Sequence, residues 1–191
     1  MEWILASASP RRRELLAELL DSFDVLPSNG EEIVEGNPTP QELVKMLALQ
    51  KATEVAQRRE AFGKAVIGSD TVVALDGKIL GKPKDEADAV AMLQALSGRA
   101  HEVYTGVCIL YSTQEEQKIL LDAACTKVYF LPLTAEDIKS YVATGSPMDK
   151  AGAYGIQDGG LVEKIEGSFS NVVGLPLELC REMIERVRME A

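Results

Sequence analysis

The chain has 191 residues, of which 46% are hydrophobic, and its formal net charge at pH 7 is −10. A chain of this length and apolar content can bury a sizeable core, either as one domain or as two closely joined lobes. The excess of negative charge argues against a protein that binds nucleic acid or a membrane surface through bulk electrostatics. A small anionic ligand is still compatible with this charge if basic side chains gather locally.

The chain has three cysteines and one histidine, which limits its metal and covalent chemistry. Cys108, Cys125 and Cys180 are odd in number and lie in apolar contexts, so we predict reduced core thiols in a cytoplasmic protein. Sites built on several histidines are excluded, and without a Gly-x-Ser-x-Gly elbow we expect His101 to be structural. The chain start does not resemble a signal peptide, and no apolar run is long enough to span a membrane.

The first predicted elements are a strand over residues 3–7 and a helix capped by Ser9. Arg11, Arg12 and Arg13 fill the first turn of this helix, where the helix dipole disfavours positive charge. Free N–H groups and guanidinium groups together bind phosphate, so this cluster predicts an anion site. The alternative is that the arginines pair with the two glutamates that follow in the same helix.

A second helix is predicted after a polar loop over residues 27–38 that carries Glu31 and Glu32. Residues 39–42 form a capping box, which predicts a helix running to about residue 58. Lys51 shares the apolar face of this helix by the 3.6-residue period. A lysine on such a face must extend its ammonium group to solvent or meet an anion, and we favour the anion.

The central stretch predicts a β-hairpin, because Asp76-Gly77 suits a type I′ turn between two apolar runs. Asp70 lies within the first run, where a carboxylate is rare unless something pairs with it. The hairpin brings Lys82 to the same end as Asp70, although strict alternation puts Lys82 on the opposite face. For these two residues alone, a strand-end salt bridge explains the pattern as well as a functional pair does.

The second half predicts further alternation of helices and strands. Helices are predicted over residues 85–96 and 134–144 and from Pro176 onward, a long antiparallel hairpin over 101–130, and a strand over 161–165. Residues 147–157 are too rich in glycine for regular structure and too apolar for a solvated linker. They predict a backbone packed closely against something.

Several residues combine positive charge with hard oxygen ligands. The set consists of Ser9, Arg11, Arg12, Glu31, Glu32, Lys51, Asp70 and Lys82. It suits a polyphosphate carried on Mg²⁺ or Mn²⁺, because carboxylates hold such ions while arginine and lysine hold phosphate oxygens. A carboxylate in an apolar strand can also act as a general base on water. Composition and spacing alone therefore make the chain a candidate phosphohydrolase. Residues 77–83 do not form a P-loop, because their spacing is one residue short.

Six sequence blocks resemble the Maf family of nucleoside triphosphate pyrophosphatases, and together they cover essentially the whole chain. They are ASASPRR over 6–12, GSDT over 68–71, GKP over 81–83, SGRAH over 97–101, MDKAGAYGIQ over 148–157 and VVGLP over 172–176. The resemblance implies a single domain over residues 1–191. It also implies an α/β fold related to the inosine triphosphatases, with an elongated mixed sheet and two lobes around a central nucleotide cleft.

The resemblance further implies hydrolysis of a nucleoside triphosphate to its monophosphate and pyrophosphate, with Mg²⁺ or Mn²⁺, as a house-cleaning enzyme. By position Asp70 is the proton acceptor and Glu32 its partner around metal and water, although Glu31 remains an alternative to Glu32. The triphosphate-binding positions are Ser9, Arg12, Lys51 and Lys82. Arg11, Thr71 and Gln157 match the specificity positions of the subfamily that acts on dTTP and UTP.

A homodimer is a further expectation. The alternatives are the same chemistry on 7-methyl-GTP and a nucleotide-sensing regulator of cell division that inhibits septum formation.

Overall fold

The helices and strands of the chain are arranged around one mixed sheet. The computed structural model describes residues 1–190. Its strands are β1 (Trp3–Leu5), β2 (Asp24–Val25), β3 (Ala65–Leu75), β4 (Lys78–Leu80), β5 (Ala100–Ser112), β6 (Gln117–Phe130) and β7 (Val162–Glu166). Its α-helices are α1 (Pro10–Leu16), α2 (Pro40–Ala56), α3 (Glu86–Leu96), α4 (Ala135–Ala143), α5 (Phe169–Val173) and α6 (Leu177–Glu190).

The sheet has the strand order β2-β1-β3-β5-β6-β7, and β4 pairs with β3 outside this path. Strand β1 pairs in parallel with β2 and β3, whereas β3, β5, β6 and β7 pair antiparallel. The parallel pairs need crossover connections, which α1 and α2 supply, and the antiparallel pairs β3–β4 and β5–β6 close by short turns. The predicted mixed α/β sheet is therefore confirmed.

Strand β3 meets two different partners along one edge. Its residues 65–67 pair with β1 and its residues 73–75 pair with β4, while its other edge pairs with β5 over residues 66–74. Residues 68–72 therefore have no strand partner on the β1 side. This gap lies beyond the carboxyl end of β1, which is where open α/β sheets receive their ligands.

Two glycines allow α2 to lie directly against the sheet. A β carbon at Gly68 would lie 2.3 Å from a backbone oxygen of α2, and one at Gly106 would lie 2.2 Å from another. Gly106 is also the residue opposite Asp70 in the pairing of β3 with β5. The helix backbone therefore crosses the sheet at the level of Asp70, which sets how far Lys51 has to reach.

Side chains along β3 alternate between the two faces of the sheet. Val66 and Val72 pack with α2, so the even-numbered side chains in this part of β3 lie on the face that α2 covers. Ile67 packs with α1 and α6, and Val73 packs with α3 and α4. Asp70 therefore faces α2, and its neighbour Thr71 faces the other side. The site described below consequently draws on both faces of one strand.

Most local predictions are confirmed. Asp76 and Gly77 both have positive φ, at 51° and 75°, and Leu75 pairs with Lys78. The capping box of α2 is present, and Ser9 accepts a hydrogen bond as the cap of α1. No helix among residues 1–190 is long and apolar enough to cross a membrane.

Three sequence-based expectations differ from the structure. The leucines at 15, 16, 19 and 20 predict one inward-facing stripe on the first helix, but α1 ends at Leu16, so Leu19 and Leu20 lie beyond it. Helix α5 was not predicted, because five residues are too few to show a helical period. Cys108 and Cys180 are buried as expected, but Cys125 is exposed. The prediction of a core thiol is wrong at Cys125, because α2 packs mainly over β3 and β5 and leaves this part of β6 uncovered.

His101 is a core residue with a single hydrogen-bond partner. It is 1% exposed, and its Nε2 lies 2.7 Å from the hydroxyl of Tyr154, while its Nδ1 has no partner within the described residues. Burial lowers the pKa of His101 to about 4. The expected core position of His101 is therefore confirmed, although only one of its two ring nitrogens has a partner among the described residues.

We predict that Gly106→Ala lowers the free energy of unfolding by about 1–3 kcal/mol, because the added carbon would force α2 away from the sheet. Urea unfolding measures this change. Gly81→Ala is the control, since a β carbon there meets nothing within 4 Å. Equal stability of the two variants would contradict the close approach of α2.

We also predict a pH dependence of stability that comes from His101. The unfolded chain binds a proton near pH 6.5, whereas the folded chain does so only near pH 4. The stability is therefore fully present above about pH 6.5 and falls as the pH decreases towards 4, by about 3 kcal/mol in total. Urea unfolding between pH 4.5 and 7.5 should show this slope in the native chain and a shallower one in His101→Gln. Identical slopes would exclude His101 as the source.

Candidate functional site

A cleft opens beside the unpaired stretch of β3, and we call it the cationic cleft. Its walls come from α1, β3, the segment after β4, residues 149–157 and the end of α5. The polar and charged side chains lining it are Ser9, Arg11, Arg12, Asp70, Thr71, Lys82, Asp149, Lys150, Tyr154 and Gln157. All seven predicted site residues outside the Glu32–Lys51 pair therefore line one cavity.

Glu32 and Lys51 lie in a second cavity, which we call the acidic groove. It runs between residues 28–35 and residues 46–57, which cover the C-terminal part of α2 and its cap. The two cavities meet at Lys51, because its ammonium group pairs with Asp70 Oδ1 and also lies 2.9 Å from Glu32 Oε1. The prediction that Lys51 meets an anion is confirmed. The structure places Glu32 on this ammonium group, and no ion pair of Glu31 is found within residues 1–190.

The shared ammonium group explains how Asp70 is tolerated in the core. Its side chain is only 12% exposed, and that of Lys51 is 20% exposed. An isolated carboxylate at this depth would be expensive, whereas a paired one is compensated. Lys51 donates a hydrogen bond to Oδ1 of Asp70, and among the described residues no hydrogen bond reaches Oδ2 of Asp70 or Oε2 of Glu32.

Arg12 is held from three sides by the protein. Its Nε donates to the carbonyl of Gly174 at 2.8 Å, and its two terminal nitrogens donate to Ser7 Oγ at 3.3 Å and Thr71 Oγ1 at 3.0 Å. Burial lowers the pKa of Arg12, and the charge of Asp70 opposes this effect. Because a guanidinium group has five N–H donors, two remain for a ligand.

The start of α1 presents two of the three arginines to the cleft. Ser9 accepts from the backbone N–H of Arg12 at 3.4 Å, and its own N–H donates to a neighbouring hydroxyl. Arg11 lies 3.7 Å from Asp149 across the cleft, whereas Arg13 is exposed and does not line it. Within residues 1–190 no arginine of this turn pairs with the glutamates that follow, so the solvated-face alternative is not supported.

Residues 146–158 form the wall opposite α1 as a series of short 3₁₀ turns. Gly152 has φ 68°, and a β carbon there would lie 2.9 Å from Val73, so the predicted close packing is confirmed. Lys150 Nζ donates to the carbonyl of Ser146 at 2.6 Å. These contacts fix the segment and leave Gln157 exposed at the cleft wall.

Lys82 reaches the cleft without a β-bulge. Strand β4 ends at Leu80, opposite Val73, so Lys82 lies beyond the ladder and is not bound by its alternation. It is exposed on the cleft wall, and no salt bridge between Lys82 and Asp70 is found in the described residues. The strand-end salt bridge is therefore wrong, because Lys51 takes the carboxylate instead.

Sequence reasoning assigned no role to three side chains that line the cleft, Asp149, Lys150 and Tyr154. Asp149 is exposed and lies 3.7 Å from Arg11. Lys150 is 12% exposed and bonds within its own loop, and Tyr154 is buried against His101. The signal for Lys150 was a lysine within an apolar, glycine-rich segment. A role for Tyr154 could not be predicted, because an aromatic residue in an apolar segment is usually a core residue.

Two carboxylates are available for a divalent cation. Within residues 1–190 no three His, Cys, Asp or Glu side chains converge on a common point. Asp70 and Glu32 do converge, on the ammonium group of Lys51. Mg²⁺ is usually held by one or two carboxylates together with substrate phosphates and waters. The pair therefore fits such an ion in company with a polyphosphate.

Comparison with known proteins relates the chain to one family over nearly its full length. A family model described as "Maf-like protein" matches residues 2–187. The dTTP/UTP pyrophosphatase of Thermococcus gammatolerans is 50% identical over 184 residues, which covers 95% of each chain. The dTTP/UTP pyrophosphatase of Geobacter metallireducens is 52% identical over 188 residues, covering 97% of this chain and 94% of that protein.

A solved structure supports the fold. The Ham1 protein of Staphylococcus aureus superimposes with a TM-score of 0.52 over 97% of this chain and 99% of that one. The two sequences are 15% identical, so the likeness concerns the fold alone. Together with the mixed seven-stranded sheet it confirms the predicted fold class.

We predict that Lys51→Met lowers the free energy of unfolding by about 2 kcal/mol, because it leaves Asp70 buried without a partner. The same change on an Asp70→Asn background should cost less, since no charge remains to be compensated. Urea unfolding of the four proteins measures the coupling. Lys45→Met is the control on the same helix, because its contact with Asp122 is 3.9 Å long and exposed. Equal costs on both backgrounds would exclude the pairing.

Proposed function

This chain belongs to the Maf family, and on that premise we propose that it is a nucleoside triphosphate pyrophosphatase that hydrolyses dTTP and UTP. The products are the nucleoside monophosphate and pyrophosphate. Relatives that carry the name dTTP/UTP pyrophosphatase align with 95% or more of this chain at about 50% identity. The cleft takes residues from Ser9 to Gly174, which supports treating the whole chain as one catalytic domain.

The observation that carries the proposal is the concentration of positive charge around one buried carboxylate. The chain as a whole carries a net charge of −10, yet Arg11, Arg12, Lys82 and Lys150 line the cavity that contains Asp70. A triphosphate brings the negative charge that such a cavity lacks. Guanidinium and ammonium groups hold phosphate oxygens well, and the N–H groups at the start of α1 lie beside them.

In the proposed reaction, a water oxygen attacks the α-phosphorus while the bond from that phosphorus to the bridging oxygen breaks. Pyrophosphate leaves, and the proton of the water passes to Asp70. Because no hydrogen bond among the described residues reaches Oδ2 of Asp70, this oxygen is available to accept the proton. Burial among apolar strand residues keeps the carboxylate away from bulk water, which suits a general base.

The cations of the cleft act on the charge that moves during the reaction. Negative charge develops on the leaving pyrophosphate, so fixed donors stabilise the transition state more than the ground state. Arg12 is already oriented by three protein acceptors, which means that little reorganisation is needed when the substrate binds. Lys82 is exposed and adds a flexible positive charge to the same wall.

A divalent cation is part of the proposal, with Asp70 and Glu32 as its protein ligands. When bound there with the substrate phosphates, Mg²⁺ or Mn²⁺ would polarise the phosphoryl oxygens. Lys51 keeps the two carboxylates together before any ion arrives, because it contacts one oxygen of each.

Base preference is proposed to depend on Arg11, Thr71 and Gln157. Two of these side chains can contact the base directly, and the third acts through another residue. Arg11 and Gln157 line the cleft with side chains that a base can reach. The hydroxyl of Thr71 instead receives a hydrogen bond from Arg12 and lies 2.9 Å from Thr105 Oγ1. Thr71 therefore acts by fixing Arg12, whereas the amide of Gln157 offers both a donor and an acceptor to a pyrimidine edge.

A pyrophosphate-release assay on the purified chain tests the function. It compares dTTP and UTP with dCTP, GTP and 7-methyl-GTP, each with Mg²⁺ or Mn²⁺. Preferential turnover of dTTP and UTP is expected. Preference for 7-methyl-GTP would overturn the pyrimidine assignment, and nucleotide binding without release of pyrophosphate would indicate a nucleotide sensor instead.

We predict that Asp70→Asn lowers kcat for UTP by about 10³-fold, because the amide cannot accept a proton from water. The variant keeps the shape of the side chain, so it should still fold and bind a UTP analogue. Steady-state kinetics and thermal unfolding measure the two properties. Asp122→Asn, a change at an exposed position on β6, is the control. An unchanged kcat in Asp70→Asn would remove Asp70 from the mechanism.

A further inference from the structure

The loop that carries Glu32 has no helix or strand of its own. Residues 27–38 connect β2 to α2 without regular backbone pairing. The side chain of Glu32 is 52% exposed, so burial does not fix it. Its place on Lys51 therefore depends on what holds the backbone of the loop.

Gln50 holds this backbone with both ends of its side-chain amide. The N–H of Ile33 donates to Gln50 Oε1 at 3.0 Å, and Gln50 Nε2 donates to the carbonyl of Ile33 at 2.6 Å. The amide thus exchanges two hydrogen bonds with one residue, as a neighbouring strand would in an antiparallel pair. Ile33 directly follows Glu32, so the clamp acts next to the carboxylate.

Glu54 fixes the other end of the loop from the same side of α2, one turn later. It accepts from the backbone N–H of Asn29 at 3.2 Å, and it is itself held by Arg58 at 2.8 Å. A β carbon at Gly30 would lie 3.2 Å from Glu54 Cγ, so the loop packs closely here. Within residues 1–190, the backbone hydrogen bonds from the loop to the rest of the chain end on Gln50 or Glu54. The segment between the two clamps is the one that carries Glu32.

We propose that Gln50 is a positioning residue: it clamps Ile33 so that Glu32 stays beside Asp70, and it thereby sets the affinity of the site for a divalent cation. This inference rests on the proposed function, because it takes Asp70 and Glu32 as the metal-binding pair. Glutamine suits the task because its amide supplies one donor group and one acceptor in a fixed geometry. A side chain of the same length without these groups would leave the loop free.

The test compares Gln50→Met with Gln57→Met. Methionine keeps the length of the side chain and removes both hydrogen bonds, and Gln57 lines the same groove without a side-chain bond to the loop. The first readout is hydrogen exchange of the Ile33 amide. The second is the dissociation constant of Mn²⁺ in the presence of α,β-methylene-UTP, measured by electron paramagnetic resonance. The third is the split between kcat and KM for UTP.

For Gln50→Met we expect faster exchange at Ile33 and an Mn²⁺ dissociation constant raised by about tenfold, as the loss of one to two hydrogen bonds implies. We expect kcat at fixed, subsaturating Mn²⁺ to fall, KM to change less than twofold, and high Mn²⁺ to restore kcat. Gln57→Met should behave as the native chain does.

An Mn²⁺ constant within twofold of that of Gln57→Met would overturn the proposal, even if exchange at Ile33 increases, because the clamp would then be only structural. Absence of Mn²⁺ binding by the native chain with the analogue would also overturn it. The proposed function is judged separately, by pyrophosphate release from the native chain. Weakened Mn²⁺ binding in Gln50→Met without any native turnover would reject the function and still support the positioning role.

Discussion

The structure of the site depends on one ammonium group shared by two carboxylates. Lys51 reaches from the apolar side of α2 to Asp70 on β3 and to Glu32 on the loop before the helix. Without this cation the acid would be buried uncompensated, and the loop would lose its charged contact with the sheet. The loop, the helix and the strand therefore converge on one atom. The contact that stabilises the resting chain is also the one that assembles the proposed metal-binding pair.

Two features of the sheet make this site possible. Helix α2 packs very close to the sheet, and strand pairing along one edge of β3 is interrupted beside Asp70. Gly68 and Gly106 remove the side chains that would keep α2 at the usual distance from β3. The change of partner from β1 to β4 leaves the middle of β3 open at the edge, so a ligand can reach Asp70 from the side of α1. The backbone thus shortens the distance from Lys51 to Asp70 on one face of the sheet and leaves the other side open to a ligand. Each feature follows from local sequence, but their coincidence at Asp70 is a property of the fold.

Local chemistry could be predicted from the sequence, whereas long-range contacts could not. The type I′ turn, the capping box and the inward lysine all follow from residue type and spacing, and the structure contains them. The partner of Asp70 was not predictable from the hairpin, which brings Lys82 to the same end of the ladder, because the actual cation lies on a helix that packs from outside the hairpin. Arg12 was predicted as a phosphate ligand, but its bond to Gly174 joins residues separated by 162 positions. No local pattern reports such a contact.

The electrostatics of the cleft reconcile an acidic protein with an anionic substrate. A net charge of −10 repels a triphosphate at long range, but a salt solution screens exposed charges beyond about 10 Å. Inside the cleft the substrate would meet Arg12, whose guanidinium group has lost much of its hydration, so its attraction for phosphate is screened less than that of a surface residue. The acid and the cations in the cleft are each expensive to bury alone. Lys51 offsets that cost for Asp70 in the resting chain, and in the proposed complex a polyphosphate and its ion would offset it for the cations.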